Sequence, residues 1–265
     1  MFINKKCISR NTLKLIAIAA MTIDHIAWAV YPGYSTEPLA VIMHLIGRIT
    51  CPIMCFFIAE GYHYTSNVKK YFVRLLLFAL VSHIPYMLCS ANYAKYGLPA
   101  LIPFAVGNGF GEKFLNQTDV LFSLAAGLAM LYVNERKKLP LAAKVGLVIL
   151  FCILSFPADW SCIAALFVLS IGSNRENPKK QFLWCLFYLT LYAAVYFFSL
   201  SKVYGLIQFG ALLAVPVIAM YNPELGGVNH GKFAKWSFYV YYPLHLFVIW
   251  LVKNLFILYI VLKYM

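Results

Sequence analysis

An acid and an imidazole stand side by side in the first apolar stretch of the chain, Asp24-His25 within LIAIAAMTIDHIAWAV. An ionisable group in the middle of a bilayer costs about 2.5 kcal/mol or more, so two of them kept there point to chemistry or transport. A neutral imidazole can take a proton from an attacking amine or hydroxyl. Consecutive helical residues project about 100° apart, so Asp24 is poorly placed to orient His25 and another helix must supply that partner. Asp119 and His44 are the candidates. Arg48 in turn offers Asp24 an ion pair across two helices, a structural role that leaves a catalytic one open.

The elements that must position these groups follow from composition. The chain has 265 residues, of which 63% are hydrophobic and only 12% charged, with mean hydropathy +0.77. A soluble domain of that size cannot hide so much apolar surface. The expectation is an all-α, polytopic membrane helix bundle, a single transmembrane domain over residues 1–265. Stretches near the roughly 20 residues that a crossing needs recur along the chain. Nine are read: Asn11 to Val30, Ala40 to Tyr62, Phe72 to Leu88, Asp119 to Val133, Leu141 to Pro157, Ser161 to Gly172, Phe182 to Leu200, Leu206 to Tyr221 and Ser237 to about Ile260. Those starting at Asp119 and Ser161 are short.

Lysine and arginine set the orientation. With a cytoplasmic amino terminus, thirteen fall in inside segments (Lys5, Lys6, Arg10, Lys69, Lys70, Arg136, Lys137, Lys138, Arg175, Lys179, Lys180, Lys232 and Lys235) and four outside (Lys95, Lys113, Lys202 and Lys263). That asymmetry predicts a multi-pass protein of the inner (cytoplasmic) cell membrane. The net charge of +13 is then topology and attraction to anionic headgroups of the lipid bilayer, with no nucleic-acid partner required. Lys5, Lys6 and Arg10 ahead of an apolar core imitate a signal peptide, but an Asp-His pair inside that core argues against cleavage. Seven scattered cysteines give neither a disulfide framework nor zinc spacing, so no metal is expected. The long outside connection from Cys89 to Thr118 reads as a lid or as a plain connector.

Depth divides the polar residues into two groups. Asp24 and His25 lie roughly 20 Å along the first span, and His44 and Arg48 roughly 6 to 12 Å from the outer end of the second. Asp119, Asp159 and His83 fall near the same outer level. Toward the cytoplasm lie Glu60, Arg74 and His245, surrounded by basic loops that include Lys70, with a structural Glu60–Arg74 pair as one option. This division suits a protein that accepts a phosphate-bearing molecule from inside and reacts it near the outside.

Several stretches together are similar to a known family. LKLIAIAAMTIDHIAW, HLIGRITCPIMCFFIAEGYHYTSNVKKYFVRLLLFALVSHIP, TDVLFSLAAGLAML, PADWSCIA, VIAMYNPELGG and FYVYYPLHLFVIW follow in the order of TraX-like proteins. That family is named for a conjugative-plasmid enzyme associated with acetylation of the pilin amino terminus, and it resembles the wider group of transmembrane acyl-coenzyme A acyltransferases. Asp24, His25, Gly47, Arg48, Glu60, Arg74, Asp159, Tyr242 and His245 match its pattern. Two positions depart from it. Ser82-His83-Ile84-Pro85 has histidine where the family has glutamate, and Asp119 stands where asparagine is expected.

The resemblance implies acetyl-coenzyme A (acetyl-CoA) as co-substrate and an amine or hydroxyl acceptor at the outer side. It further implies His25, Asp24 and Arg48 as the catalytic set, which the depth reading extends to Asp119, with Glu60, Arg74, His245 and Tyr242 around the cofactor, joined by Lys70 of the basic loops. In that scheme Arg48 stabilises the oxyanion. The competing class is a proton-coupled transporter or exporter, in which Asp24, His25 and His83 form a relay; a purely structural membrane protein is the third.

Overall fold

A chain this apolar must satisfy its backbone hydrogen bonds within each segment once it enters lipid, and helices do so. The computed structural model describes residues 6–90, 97–104, 118–225 and 232–264, and is helical almost throughout. The elements are α1 (Arg10–Val30), α2 (Pro38–Gly47), α3 (Thr50–Tyr64), α4 (Val68–Cys89), the 3-10 turn η1 (Leu98–Leu101), α5 (Val120–Asn134), α6 (Leu141–Ser155), α7 (Ser161–Ser173), α8 (Pro178–Ser199), α9 (Lys202–Ile207), the 3-10 turn η2 (Gln208–Leu213), α10 (Ala214–Ala219) and α11 (Lys232–Tyr264). Extended pairing among the described residues is limited to two isolated bridges, Ile8 to Tyr221 and Thr118 to Ala158. The connection from Cys89 to Thr118, read as a lid or a plain connector, lies mostly outside the described residues.

Among the described residues, six helical stretches are long and apolar enough to cross a membrane: Arg10–Val30, Pro38–Tyr64, Val68–Cys89, Pro178–Ser199, Lys202–Ala219 and Phe238–Tyr264. Three of the nine expected spans, α5, α6 and α7, have only 13 to 15 residues. For α5 and α7 the reason is burial. Leu121 to Leu128, Met130 and Leu131 of α5 are all enclosed, and Gly127 lets α5 approach Ala165 and Val168 of α7 so closely that a Cβ there would stand 2.7 to 2.9 Å from them. Helices walled in by other helices are not bound by the lipid thickness. The lipid-facing exterior carries such exposed side chains as Leu15, Leu77, Ile149, Phe198 and Leu255.

Two expected spans are interrupted. The stretch read as one helix from Ala40 to Tyr62 breaks at Arg48 and Ile49. Pro52 explains the break, because it lacks an N–H and its ring obstructs the carbonyl four residues back, that of Arg48. The stretch read from Leu206 to Tyr221 begins at Lys202 and tightens into η2 just ahead of Pro216. The last span also starts earlier than expected: α11 begins at Lys232, which puts His245 thirteen residues along the helix, a rise of about 20 Å.

Candidate active site

Helix α1 sends its two ionisable neighbours to different partners. Asp24 faces the α2–α3 break, where its Oδ1 accepts from His44 Nδ1 and its Oδ2 from Arg48 Nη2, each at 2.8 Å. Arg48 Nη1 donates to Gln208 Oε1 at 3.3 Å, and Gln208 Nε2 donates to the Tyr204 carbonyl at 3.2 Å. The guanidinium also lies 5.2 Å from the centroid of the Trp160 ring, which stacks on Tyr192. A buried charge pair is tolerable only when its remaining hydrogen-bonding positions are met, and this arrangement meets most of them.

Gly47 makes the approach possible. A Cβ at that position would stand 2.3 Å from Asp24 Cβ. Gly47→Ala is therefore expected to push Asp24 off its partners and to destabilise the protein by about 1–3 kcal/mol, as overpacking typically does, seen as a lower thermal midpoint in detergent. A midpoint matching the parent would show that α1 and α2 can separate without loss.

His25 turns elsewhere. Its Nδ1 lies 2.9 Å from the Met21 carbonyl and 3.2 Å from His245 Nε2, while His245 Nδ1 lies 3.0 Å from the Tyr241 carbonyl. Carbonyls only accept, so both Nδ1 atoms carry the hydrogen when both rings are neutral. His245 Nε2 is then an acceptor toward His25, and the lone pair of His25 resides on Nε2, the atom a general base needs. The Tyr241 ring stacks on His245 at 5.0 Å and 4°, and its hydroxyl meets Thr22 Oγ1 at 2.6 Å, fastening α11 to α1.

This corrects two expectations. The partner of His25 is His245; His44 is engaged by Asp24, and Asp119 caps α5, with Oδ1 accepting from Leu121 N at 2.8 Å. Nor does His245 sit in a separate cytoplasmic group. The longer α11 carries it, with Tyr242, up to His25, the Tyr242 and His25 rings being 6.4 Å apart. Asp119 remains near this centre, within electrostatic reach of Tyr242.

A cavity of about 300 Å³ leads from the basic end of the bundle toward this cluster. Arg10, Lys14 and Arg74 line one part of it, and Leu121 and Tyr242 another. The Arg74 guanidinium lies 5.1 Å from the Tyr71 ring and 5.2 Å from that of Tyr239, and its Nε is buried without a hydrogen-bond partner among the described residues. Gly61 borders the space, and a Cβ there would meet the Tyr71 hydroxyl at 2.8 Å.

Glu60 and Lys70 do not line it. The expected Glu60–Arg74 pair is replaced by Glu60 with Arg175, at 2.9 and 3.1 Å, with the Tyr64 hydroxyl accepting from the same guanidinium. That pairing lies at the surface, where the carboxylate pushes the Arg175 pKa up. Lys70 is exposed. His83 also stands apart from the cluster, its Nε2 bonded to the Ala100 carbonyl at 2.9 Å.

Sequence reasoning missed Trp160, Gln208 and Tyr241. The turn that delivers Trp160 is strained: Trp160 and Ser161 both take left-handed backbone angles, φ 62° and 48°. Such strain persists where surrounding structure imposes it. Here the Asp159 amide bonds the Thr118 carbonyl at 2.8 Å, and Asp159 Oδ1 accepts from Trp160 N at 3.0 Å. Asp159 thereby comes within electrostatic reach of Arg48 and His25. No short motif announces such a turn.

Comparison with known proteins adds a family. A family model described as TraX protein matches residues 9–253. The chain is similar to a probable fimbrial assembly protein FimC, serogroup H1, of Dichelobacter nodosus, 28% identical over 240 residues that span 88% of this chain and 91% of that protein. Over a shorter stretch it is similar to the uncharacterized protein RP591 of Rickettsia prowazekii (strain Madrid E), 36% identical over 75 residues, 28% of this chain and 26% of that one. No solved structure matches.

Proposed function

We propose, from the premise that this chain belongs to the TraX family, that it is an integral membrane acyltransferase using acetyl-CoA. The observation that carries the reading is the cavity joining a cationic rim to the tyrosine beside His25. Arg10, Lys14 and Arg74 suit the phosphates of coenzyme A, and a narrow, largely apolar passage suits its pantetheine arm. Reaction is at His25, whose Nε2 takes the proton of an amine or hydroxyl acceptor as that acceptor attacks the thioester.

With the amino terminus cytoplasmic in the inner membrane, as the distribution of lysine and arginine favours, the cationic rim opens to the cytoplasm and the acceptor arrives from the other side. A pilin-type amino terminus is one acceptor compatible with the Dichelobacter relative's being a probable fimbrial assembly protein. The transporter reading loses support from the position of His83, which does not join Asp24 and His25 in a relay.

The test is consumption of acetyl-CoA by purified protein: slow release of free coenzyme A without acceptor, absent from the His25→Ala variant, is expected. Wild-type protein that leaves acetyl-CoA intact in both detergent and liposomes would defeat the proposal. Binding is probed separately at the rim. Arg74→Gln removes a guanidinium opposite a phosphate, a contact typically worth about 1.5–3 kcal/mol, so the KM for acetyl-CoA should rise by roughly tenfold or more while kcat changes little. An unchanged KM with a collapsed kcat would remove Arg74 from the rim's role.

A further inference from the structure

One residue lining this cavity carries a hydroxyl whose proton the fold does not use. Tyr242 is 1% exposed, it lines the cavity, and its hydroxyl has no hydrogen-bond partner among the described residues. Burying a hydroxyl without a partner is unfavourable, and phenylalanine would fill the same place without that penalty. The one backbone group near enough to bond it is the Val120 amide, a donor that the phenol oxygen can only accept from, so the phenolic proton is left without an acceptor among the described residues.

The same ring packs against both histidines, with centroids 6.4 Å from His25 and 5.7 Å from His245. A thioester carbonyl oxygen brought along the cavity as far as Tyr242 could accept from this hydroxyl beside the His25 ring. The guanidinium expected to serve as oxyanion donor, that of Arg48, is committed elsewhere: its two terminal nitrogens are held by Asp24 and Gln208.

We propose that the Tyr242 hydroxyl is the oxyanion donor of the transfer, a catalytic role that rests on the acyltransferase reading above. The thioester carbonyl oxygen lies against the phenol. As His25 Nε2 takes the acceptor's proton, the acceptor's lone pair forms the new bond to the carbonyl carbon, and the C=O pair moves onto oxygen, where the Tyr242 O–H holds it. Collapse restores the C=O, breaks the C–S bond and releases the thiolate of coenzyme A, which recovers the proton from the His25 imidazolium. Acetyl passes from sulfur to nitrogen or oxygen, and charge and protons balance with no further reactant.

Tyr242→Phe tests this by three readouts. Coenzyme A release from acetyl-CoA should fall by about 10²- to 10³-fold, the usual loss on deleting one oxyanion donor, with KM for acetyl-CoA within about twofold of the parent. The thermal midpoint should stay level or rise, because the variant removes an unsatisfied hydroxyl; a structural hydroxyl would instead lower it. Trifluoroacetonyl-coenzyme A, whose hydrated ketone imitates the tetrahedral intermediate, should bind the parent more tightly than the variant, whereas acetyl-CoA should bind both alike. A variant that turns over within threefold of the parent would overturn the role of Tyr242 alone. A parent that neither binds nor cleaves acetyl-CoA would overturn the acyltransferase reading and this role together.

Discussion

His25→Ala is expected to leave the bundle folded and able to bind acetyl-CoA, yet to lower acyl transfer by roughly 10²- to 10⁴-fold, the range for loss of a general base. The expectation rests on which atoms of the ring are already engaged. Nδ1 carries a hydrogen toward the Met21 carbonyl and His245, and that assignment leaves Nε2 as the basic atom. The ring is only partly buried, and unlike Asp24 it neutralises no buried charge, so stability should change little. Parallel measurement of the thermal midpoint, acetyl-CoA binding and turnover separates the outcomes. An alanine variant with near-parental turnover would reduce His25 to a packing residue that links α1 to α11.

Asp24→Asn should fail in a different way, although the two residues are adjacent. The carboxylate holds both His44 and Arg48 at 2.8 Å, and Arg48 is only 7% exposed. An amide leaves that guanidinium uncompensated among helices, and breaking a buried pair from one side typically costs about 3–5 kcal/mol. The variant should therefore melt well below the parent in detergent and lose turnover as α2 and α3 shift. Asp24→Asn combined with Arg48→Met, which removes both charges, should recover a large part of the stability. If Asp24→Asn alone melted with the parent, the pair would have no structural part, and Asp24 would belong with His25 in the chemistry.

Much of the architecture was legible in composition and periodicity. A chain with this many apolar residues can satisfy its backbone in lipid only as helices, and the nine apolar stretches read from the sequence each correspond to a helix or a broken helix. Asp24 and Arg48 were recognisable as a pair because bilayer energetics forbid two isolated charges at one depth. The divergence of Asp24 and His25 follows from the helical repeat alone.

Tertiary structure decided who met whom. Thr22 and Tyr241, His25 and His245, and Arg48 and Gln208 are 219, 220 and 160 residues apart, and no local pattern encodes contacts across such separations. A misplaced helix start was enough to assign His245 to the wrong end: beginning α11 at Ser237 instead of Lys232 shifts its depth by about 7 Å. Glu60 went to Arg175 because both reach the same surface turn, which charge counting along the chain cannot foresee. The sequence by itself determined a helical membrane protein with a costly Asp-His pair; only packing decided that His25 keeps a basic nitrogen, that Tyr242 lines the cavity beside it, and that a strained turn brings Trp160 over Arg48. Hydrophobicity fixes the depth of each segment, whereas the rotation and contacts of each helix are set by close approach at residues such as Gly47 and Gly127, where the absence of a single Cβ lets one helix touch the next.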